Sequence, residues 1–396
     1  MAVADLTSRE AALAKARELV PVLKERASRA EELRRLPEET LSDFVQSGLL
    51  RLVQPRRWGG AELPLSVHLD VTAELGRGCG SSAWTYSIFA SHFWQLALFP
   101  EPAQEAVWGR DPSTLICTSV VGGPPPKRVE GGIYIEDGRW TFLSGVDYAQ
   151  WVAVNGVLPP EHEGGHPDAR FLLVRRGDFE IIDDWHTTAL RGTGSKTVRI
   201  RDVFVPDAMQ VSFDAMREGR APGARLNPGP NYRLPLIAAW PIFLAAPAIG
   251  IARGALEAWT EKTRHRVHAY SRQPVREHAL FHLRLGEAAA MIDAGQALLR
   301  RNVEEATAIV AGGDEVSRDL RARNRRDYAF ATRLCVDAVE LLFLSSGGGS
   351  LYASSDLQRF WRDVHGVAQH AALNYDAAVS GFGRHVLGLP PEGPDF

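Results

Sequence analysis

Ile133-Tyr134-Ile135-Glu136-Asp137-Gly138-Arg139-Trp140-Thr141-Phe142-Leu143-Ser144-Gly145 is the stretch on which the fold turns. Ile133-Tyr134-Ile135 and Trp140-Thr141-Phe142 are short β-type runs, with side chains alternating between two faces. Asp137-Gly138 between them predicts a tight hairpin. The same short runs recur at Trp151-Val152-Ala153-Val154, at Phe171-Leu172-Leu173-Val174, and through Val198, Ile200 and Val203. Residues 114–220 therefore read as a β domain, interrupted by a proline-rich loop at Pro124-Pro125-Pro126.

On either side the period is helical. Thr7 with Glu10 reads as a capping box ahead of an amphipathic helix through Leu13, Ala16, Leu19 and Leu23. Pro37 opens a second helix that Gly48 ends, and residues 65–76 and 81–98 form two more, so residues 1–113 are an α domain. After a Pro/Gly-rich linker at 221–230, helices over 241–268, 276–310, 315–345 and 356–386 make residues 221–396 a four-helix bundle. No repeat of solenoid period appears.

Composition excludes several classes. With 45% hydrophobic and 23% charged residues the chain is an ordinary globular protein, and a net charge of -3 gives no footprint for nucleic acid. Cys79, Cys117 and Cys335 are too widely spaced to form a metal-ligand pair, so no metal is expected, and they fit a reducing compartment. The N-terminal residues interleave acids and bases without an apolar core, so no signal peptide is read and a cytoplasmic location is expected. Residues 234–252 carry no charge, but Pro235, Pro241 and Pro247 interrupt them; a buried helix is expected, with no membrane association.

The familiar catalytic signatures are missing. Gly76-Arg77-Gly78-Cys79-Gly80 follows a helix and lacks the third glycine of a dinucleotide fingerprint. Gly192-Thr193-Gly194-Ser195 joins two strand-like segments and is either a plain tight turn or a turn that also touches a cofactor. No zinc-protease histidine pair and no Gly-x-Ser-x-Gly elbow occurs. What remains is Arg362-Asp363-Val364-His365-Gly366-Val367-Ala368-Gln369-His370. There Gly366, His370 and Asn374, four apart, would line one helix face that could pack a histidine against a cofactor ring.

The α–β–α order, together with several motifs, carries a resemblance. Leu52-Val53-Gln54-Pro55 with Trp58-Gly59-Gly60, and Gly80-Ser81-Ser82-Ala83-Trp84 leading to His92, are two of them. Trp140 to Gly145 with Trp151 is a third. Trp185 followed by Leu190-Arg191-Gly192-Thr193-Gly194-Ser195 and Val203-Phe204-Val205-Pro206 is the fourth, and Arg362-Asp363 with His370 the last. In this order they resemble the acyl-CoA dehydrogenase-like fold, within its branch of two-component flavin-dependent monooxygenases. That branch includes the oxygenase components of 4-hydroxyphenylacetate 3-hydroxylase, the secosteroid phenol hydroxylase and the dibenzothiophene monooxygenase. The resemblance implies an α+β protein with an N-terminal α domain, a central β-barrel or sandwich domain and a C-terminal four-helix bundle, assembled as a homotetramer.

The implied activity is hydroxylation of a small aromatic substrate, expected to be phenolic, with O₂ and reduced FMN or FAD (FMNH2/FADH2) through a C4a-hydroperoxyflavin. A separate flavin reductase is the expected partner, since the chain has no nicotinamide fingerprint. By the resemblance, His370 delivers a proton to the peroxide, as a side chain titrating near neutrality can. Ser144 bonds near flavin N5, His92 makes the phenol more phenolate-like, and Trp84 and Tyr148 line the substrate. Tyr148 stands where phenol hydroxylases often have a histidine, and the loop at 121–128 is longer than their counterparts; both bear on the substrate. Ser119 contacts substrate or flavin, or only packs. Trp151, Arg272, Gly347 and Gly348 complete the flavin set, the last three across a subunit boundary. Oxygenation at sulfur or nitrogen is the alternative on the same scaffold. An acyl-CoA dehydrogenase is a further alternative, but one that needs a glutamate base: residues 342–390 contain none, and residues 234–252 contain no acid. A non-catalytic helical protein would bind no flavin.

Overall fold

The computed structural model describes residues 6–160, 162 and 166–390; the outer ends of the expected first and last domains, residues 1–5 and 391–396, lie outside them. Five helices come first: α1 (Arg9–Leu33), α2 (Glu38–Ser47), α3 (Leu65–Gly76), α4 (Gly80–Leu96) and α5 (Glu101–Trp108). The cap of α1 is Ser8, whose hydroxyl accepts the Ala11 N–H at 3.2 Å; the expected cap at Thr7 is one residue early. Every residue of α4 is buried, as its aromatic-rich, uncharged sequence requires.

Eight strands follow: β1 (Ile116–Ser119), β2 (Lys127–Val129), β3 (Gly132–Leu143), β4 (Trp151–Leu158), β5 (Asp168–Arg175), β6 (Phe179–Ile182), β7 (Lys196–Pro206) and β8 (Gln210–Ser212). They make two four-stranded sheets, ordered β1-β4-β5-β8 and β2-β3-β7-β6, and only the β1–β4 pair is parallel. The expected hairpin at Asp137-Gly138 is absent. β3 runs straight through it, with Asp137 opposite Arg201 and Gly138 opposite Ile200. Both residues serve the strand: Asp137 holds the Arg199 guanidinium, and a Cβ on Gly138 would stand 2.4 Å from the Trp140 indole. The irregularity lies further on. The β3–β7 register shifts between Trp140 and Leu143, and Phe142 takes φ 64°, a left-handed conformation unusual for an aromatic residue. The strand ends there, one residue before Ser144.

Short helices α6 (Phe213–Arg217), α7 (Gly223–Leu226) and α8 (Leu236–Ala239) lead into α9 (Pro241–His265), α10 (Ala279–Ala311), α11 (Arg318–Leu344), α12 (Asp356–Ala368) and α13 (Tyr375–Val386). Among the described residues, one helical stretch, Leu236–His265, is long and apolar enough to cross a membrane, and 83% of its most apolar window is buried inside the protein. α9 crosses α3 at two glycines: a Cβ on Gly76 would lie 2.7 Å from the Gly250 Cα, so the backbones touch and dock the first domain on the bundle.

The single helix expected over 356–386 is two helices. α12 stops at Ala368, where the His370 Nδ1 accepts the Ala372 N–H and caps a short 3₁₀ turn. Asn374 Oδ1 then caps α13 through the Ala377 N–H at 2.9 Å. Side chains that accept backbone N–H groups compete with helix continuation. Gly366, His370 and Asn374 therefore do not share a helix face, and His370 sits at a break between helices.

Candidate active site

Three of the expected site residues, Trp84, Ser144 and His370, meet where the three parts of the chain join, and a fourth, His92, is tied to them through β1. α4 carries Trp84 and, two turns further, His92. The Trp84 Nε1–H donates to Ser144 Oγ at 3.0 Å, and the Trp84 and His370 rings stand 6.0 Å apart. Strand β1 laces these elements together. The Ile116 carbonyl accepts from His92 Nδ1 at 2.7 Å, and the Cys117 Sγ–H donates to the Ser144 carbonyl at 3.0 Å.

The two histidines are held in opposite tautomers. A carbonyl only accepts, so His92 Nδ1 carries the proton and its Nε2 is a bare acceptor. A backbone N–H only donates, so His370 Nδ1 is the acceptor and the proton of its neutral ring lies on Nε2. Burial pushes both rings down to about 4 from the ordinary 6.5, against the Ile116 hydrogen bond in the case of His92. Titration near neutrality, expected of His370, is therefore not met: the ring is neutral at pH 7 and carries its proton on Nε2.

Ser144 Oγ lies 2.7 Å from Ser195 Oγ, Ser195 Oγ lies 2.6 Å from Thr193 Oγ1, and Thr193 Oγ1 donates to the Leu190 carbonyl at 2.9 Å. The Leu190 N–H in turn donates to Asp363 Oδ1 on α12 at 2.7 Å. The turn at 192–195 is thus tied to the site. Sequence reasoning left that turn open because its hydroxyls say nothing of what they face.

Other expected residues make contacts of their own. The Ser119 hydroxyl donates to the Thr141 carbonyl at 2.7 Å and accepts the Val121 N–H, so it is spent on the chain around it. The Tyr148 hydroxyl donates to the Leu36 carbonyl beside α2, away from Trp84. Trp151 opens β4 opposite Ile116 in the sheet. Arg272 is exposed in a loop with φ 59°. Arg266 instead stands by the glycine run: a Cβ on Gly347 would come within 2.8 Å of its Nη2, and its Nη1 donates to the Ser345 carbonyl at 3.0 Å. With Lys24, Lys262 and His265 it lines a cavity of about 610 Å³, on which Glu261 and Asp356 also border, while Gly348 is exposed beside it. Burial and the Arg266 charge both push the Lys262 ammonium down, the mark of a partly uncompensated cationic site.

Three aromatic residues were missed. Trp240 stands edge-on to the His370 ring at 5.7 Å, opposite in kind to the tilted Trp84. Phe142, 60% exposed on its left-handed backbone, meets Trp185 edge-on at 6.2 Å. An exposed phenyl ring against a half-buried indole, two residues from a buried serine, is a surface for a flat ring. A flavin ring fits the aromatic shelf with a serine oxygen beside it, and a phosphate fits the separate cationic cavity. Phe142 and Trp185 lie within stretches that carry the family resemblance, whereas no local pattern marks Trp240.

Matches to known proteins agree with this geometry. Residues 8–111 match the family model "Acyl-CoA dehydrogenase, N-terminal domain" and residues 242–375 the model "Acyl-CoA dehydrogenase, C-terminal domain". The chain is 39% identical over 374 residues to the flavin-dependent monooxygenase oxygenase subunit HsaA of Mycobacterium tuberculosis, covering 94% of each. It is 35% identical to the oxygenase component of the FADH(2)-dependent resorcinol hydroxylase of a Rhizobium species, covering 93% of this chain and 91% of that one. The M. tuberculosis HsaA crystal structure superposes with TM-score 0.91 at 38% identity, over 98% of this chain and 99% of that one. XiaF from a Streptomyces species, solved with FADH2 and glycerol, superposes with TM-score 0.89 at 26% identity over 98% of each.

The neutral histidines set a pH dependence. His68, buried between Tyr86 and Phe243, is pushed down to about 3 by burial, and His92 to about 4. The unfolded chain protonates these rings near 6.5, so as the pH falls from 6.5 towards 4 it binds more protons than the fold and stability is lost. Each ring contributes up to about 1.4 kcal/mol per pH unit in that window. Denaturant unfolding at about pH 7.5 and about pH 5 should show the loss, reduced in His92→Gln; equal stability at both contradicts the assignment. With the two family models and the full-length matches added to this geometry, the chain belongs to the flavin-dependent monooxygenases of acyl-CoA dehydrogenase-like fold, as the oxygenase component of a two-component system that uses reduced flavin and O₂ on an aromatic substrate.

Proposed function

We propose that the aromatic substrate is a phenol, bound with its hydroxyl on His92 and oxidised at a neighbouring ring carbon. The observation that carries this is the His92 tautomer. The Ile116 carbonyl fixes the proton on Nδ1, which leaves Nε2 a lone pair in a buried site. A phenol O–H donating to that nitrogen gains phenolate character, which enriches the ortho carbon and favours electrophilic oxygen transfer. The relative named as a resorcinol hydroxylase supports a phenolic substrate.

When bound, reduced flavin supplies the electrons that activate O₂ for transfer of one oxygen atom to the ring. The chain's own groups hold that chemistry in place. Trp84 and Trp240 flank His370 and keep the site apolar; its Nε2–H offers a neutral hydrogen bond to the reacting edge of the cofactor. Ser144 Oγ would meet the same edge, and Phe142 with Trp185 would form the shelf for the flat ring. Arg266, Lys262 and Gly347 serve the flavin phosphate. They stand by the start of α12 while His370 follows its end, and 13 helical residues span roughly 20 Å. A neighbouring chain's flavin is therefore the one they reach. This calls for an oligomer, and Leu280, Leu283, Leu351 and Tyr352 leave apolar surface on the bundle for it. A homotetramer is the assembly we propose, with a flavin reductase supplying the reduced cofactor. Light scattering should then give four times the 43.5 kDa chain mass, and a monomer at working concentration contradicts the shared site.

The substrate assignment is tested with chemically reduced flavin, O₂ and a panel of simple phenols. His92→Ala should keep consuming O₂ but yield H₂O₂ in place of hydroxylated product, with product formation lowered at least about 10²-fold. His370→Ala should slow O₂ consumption itself. Undiminished hydroxylation by His92→Ala removes His92 from the mechanism and favours a heteroatom substrate.

A further inference from the structure

The hydroxyls behind Ser144 favour one arrangement of protons. The Leu190 carbonyl can only accept, so the Thr193 hydroxyl proton lies on it, at an oxygen–oxygen distance of 2.9 Å. Thr193 Oγ1 must then accept from Ser195 at 2.6 Å, and Ser195 Oγ must accept from Ser144 at 2.7 Å. Ser144 has a single proton, and this chain consumes it. Its oxygen also accepts the Trp84 indole N–H at 3.0 Å. The Leu190 carbonyl also accepts the Trp185 indole N–H and the Thr193 N–H, both at 3.2 Å, so in the reverse order the cost falls on Thr193 Oγ1, whose lone pair would face that oxygen at 2.9 Å in a side chain 1% exposed. What Ser144 Oγ has left for a ligand is one lone pair.

We propose that Ser195 and Thr193 are positioning residues that fix Ser144 as a hydrogen-bond acceptor, so that the site prefers reduced flavin to oxidised flavin. This rests on the reading that Ser144 lies against the flavin ring. The reduced ring carries an N–H at N5, which that lone pair accepts. The oxidised ring has a bare nitrogen there, and two lone pairs would face each other. An oxygenase component supplied with reduced flavin from outside gains a means of discharging the oxidised form after turnover. Leu190 is itself held by the Asp363 carboxylate, so the direction of the chain is anchored on α12.

The test is equilibrium binding of FMN and FAD, oxidised and dithionite-reduced, under anaerobic conditions without substrate. Wild type should bind the reduced form more tightly. Ser195→Ala frees the Ser144 proton to turn towards an oxidised ring, so the ratio of the two dissociation constants should narrow by about tenfold. Thr193→Val should narrow it likewise, and covers the case in which Ser195→Ala fails to fold. Thr193→Ser, which keeps the hydroxyl, should restore the wild-type ratio. If Ser195→Ala and Thr193→Val keep the wild-type ratio while Ser144→Ala changes it, Ser144 meets the flavin but the relay does not orient it. If Ser144→Ala changes neither constant, the placement of Ser144 against the flavin is wrong, and the proposal falls with it.

Discussion

One file of hydrogen bonds joins the three parts of this protein: Asp363 to Leu190, Leu190 to Thr193, then Ser195, Ser144 and Trp84. It starts on a helix of the bundle, passes through the turn before β7 and ends on α4. Each link is buried, where an unmade hydrogen bond costs the full desolvation of the group. The helices could dock through α3 and α9 without it, since their touching glycines already fix that crossing. The position of Ser144 could not be set without it. The left-handed turn at Phe142 brings the strand to that point, and the Cys117 thiol holds the Ser144 carbonyl from behind.

The electrostatics of the site follow from dryness. Among the described residues no carboxylate raises the basicity of the two histidines, and burial holds both neutral. Work is divided between them by backbone partners: a carbonyl makes one an acceptor, and an amide makes the other a donor. A dehydrogenase on this scaffold needs a carboxylate base, and residues 342–390 and 234–252 do not provide the glutamate. Burial of these groups suits chemistry that must keep activated oxygen from leaking away as peroxide.

The layout of helices and strands was legible because it rests on periodicity, which a sequence displays directly. The helices over 65–76 and 241–265, and the strand runs at Trp151 and Phe171, needed no tertiary information. The failures are instructive. Asp137-Gly138 has the composition of a turn, yet Gly138 is small because the Trp140 indole lies over it, a contact made at a distance. His370 and Asn374 keep the helical spacing, yet each caps a new turn with its own side chain. His92, Trp84, Ser144 and His370 could be named from motifs; Trp240 and Arg266 depend on how chains pack, and no local pattern marks them. Arg272 enters the flavin set only through the resemblance, and which arginine of that loop turns towards the glycine run depends on packing: Arg266 stands by Gly347, while Arg272 is exposed.

The central claim is that carbonyl and amide partners of the backbone set the proton positions of the reacting groups before any ligand arrives. Neutron diffraction from deuterium-exchanged crystals near neutral pH measures those positions directly. The account predicts a deuteron on His92 Nδ1 pointing to the Ile116 carbonyl, one on His370 Nε2, and the Ser144 deuteron directed at Ser195. A deuteron on His92 Nε2, or a Ser144 hydroxyl turned away from Ser195, would contradict it.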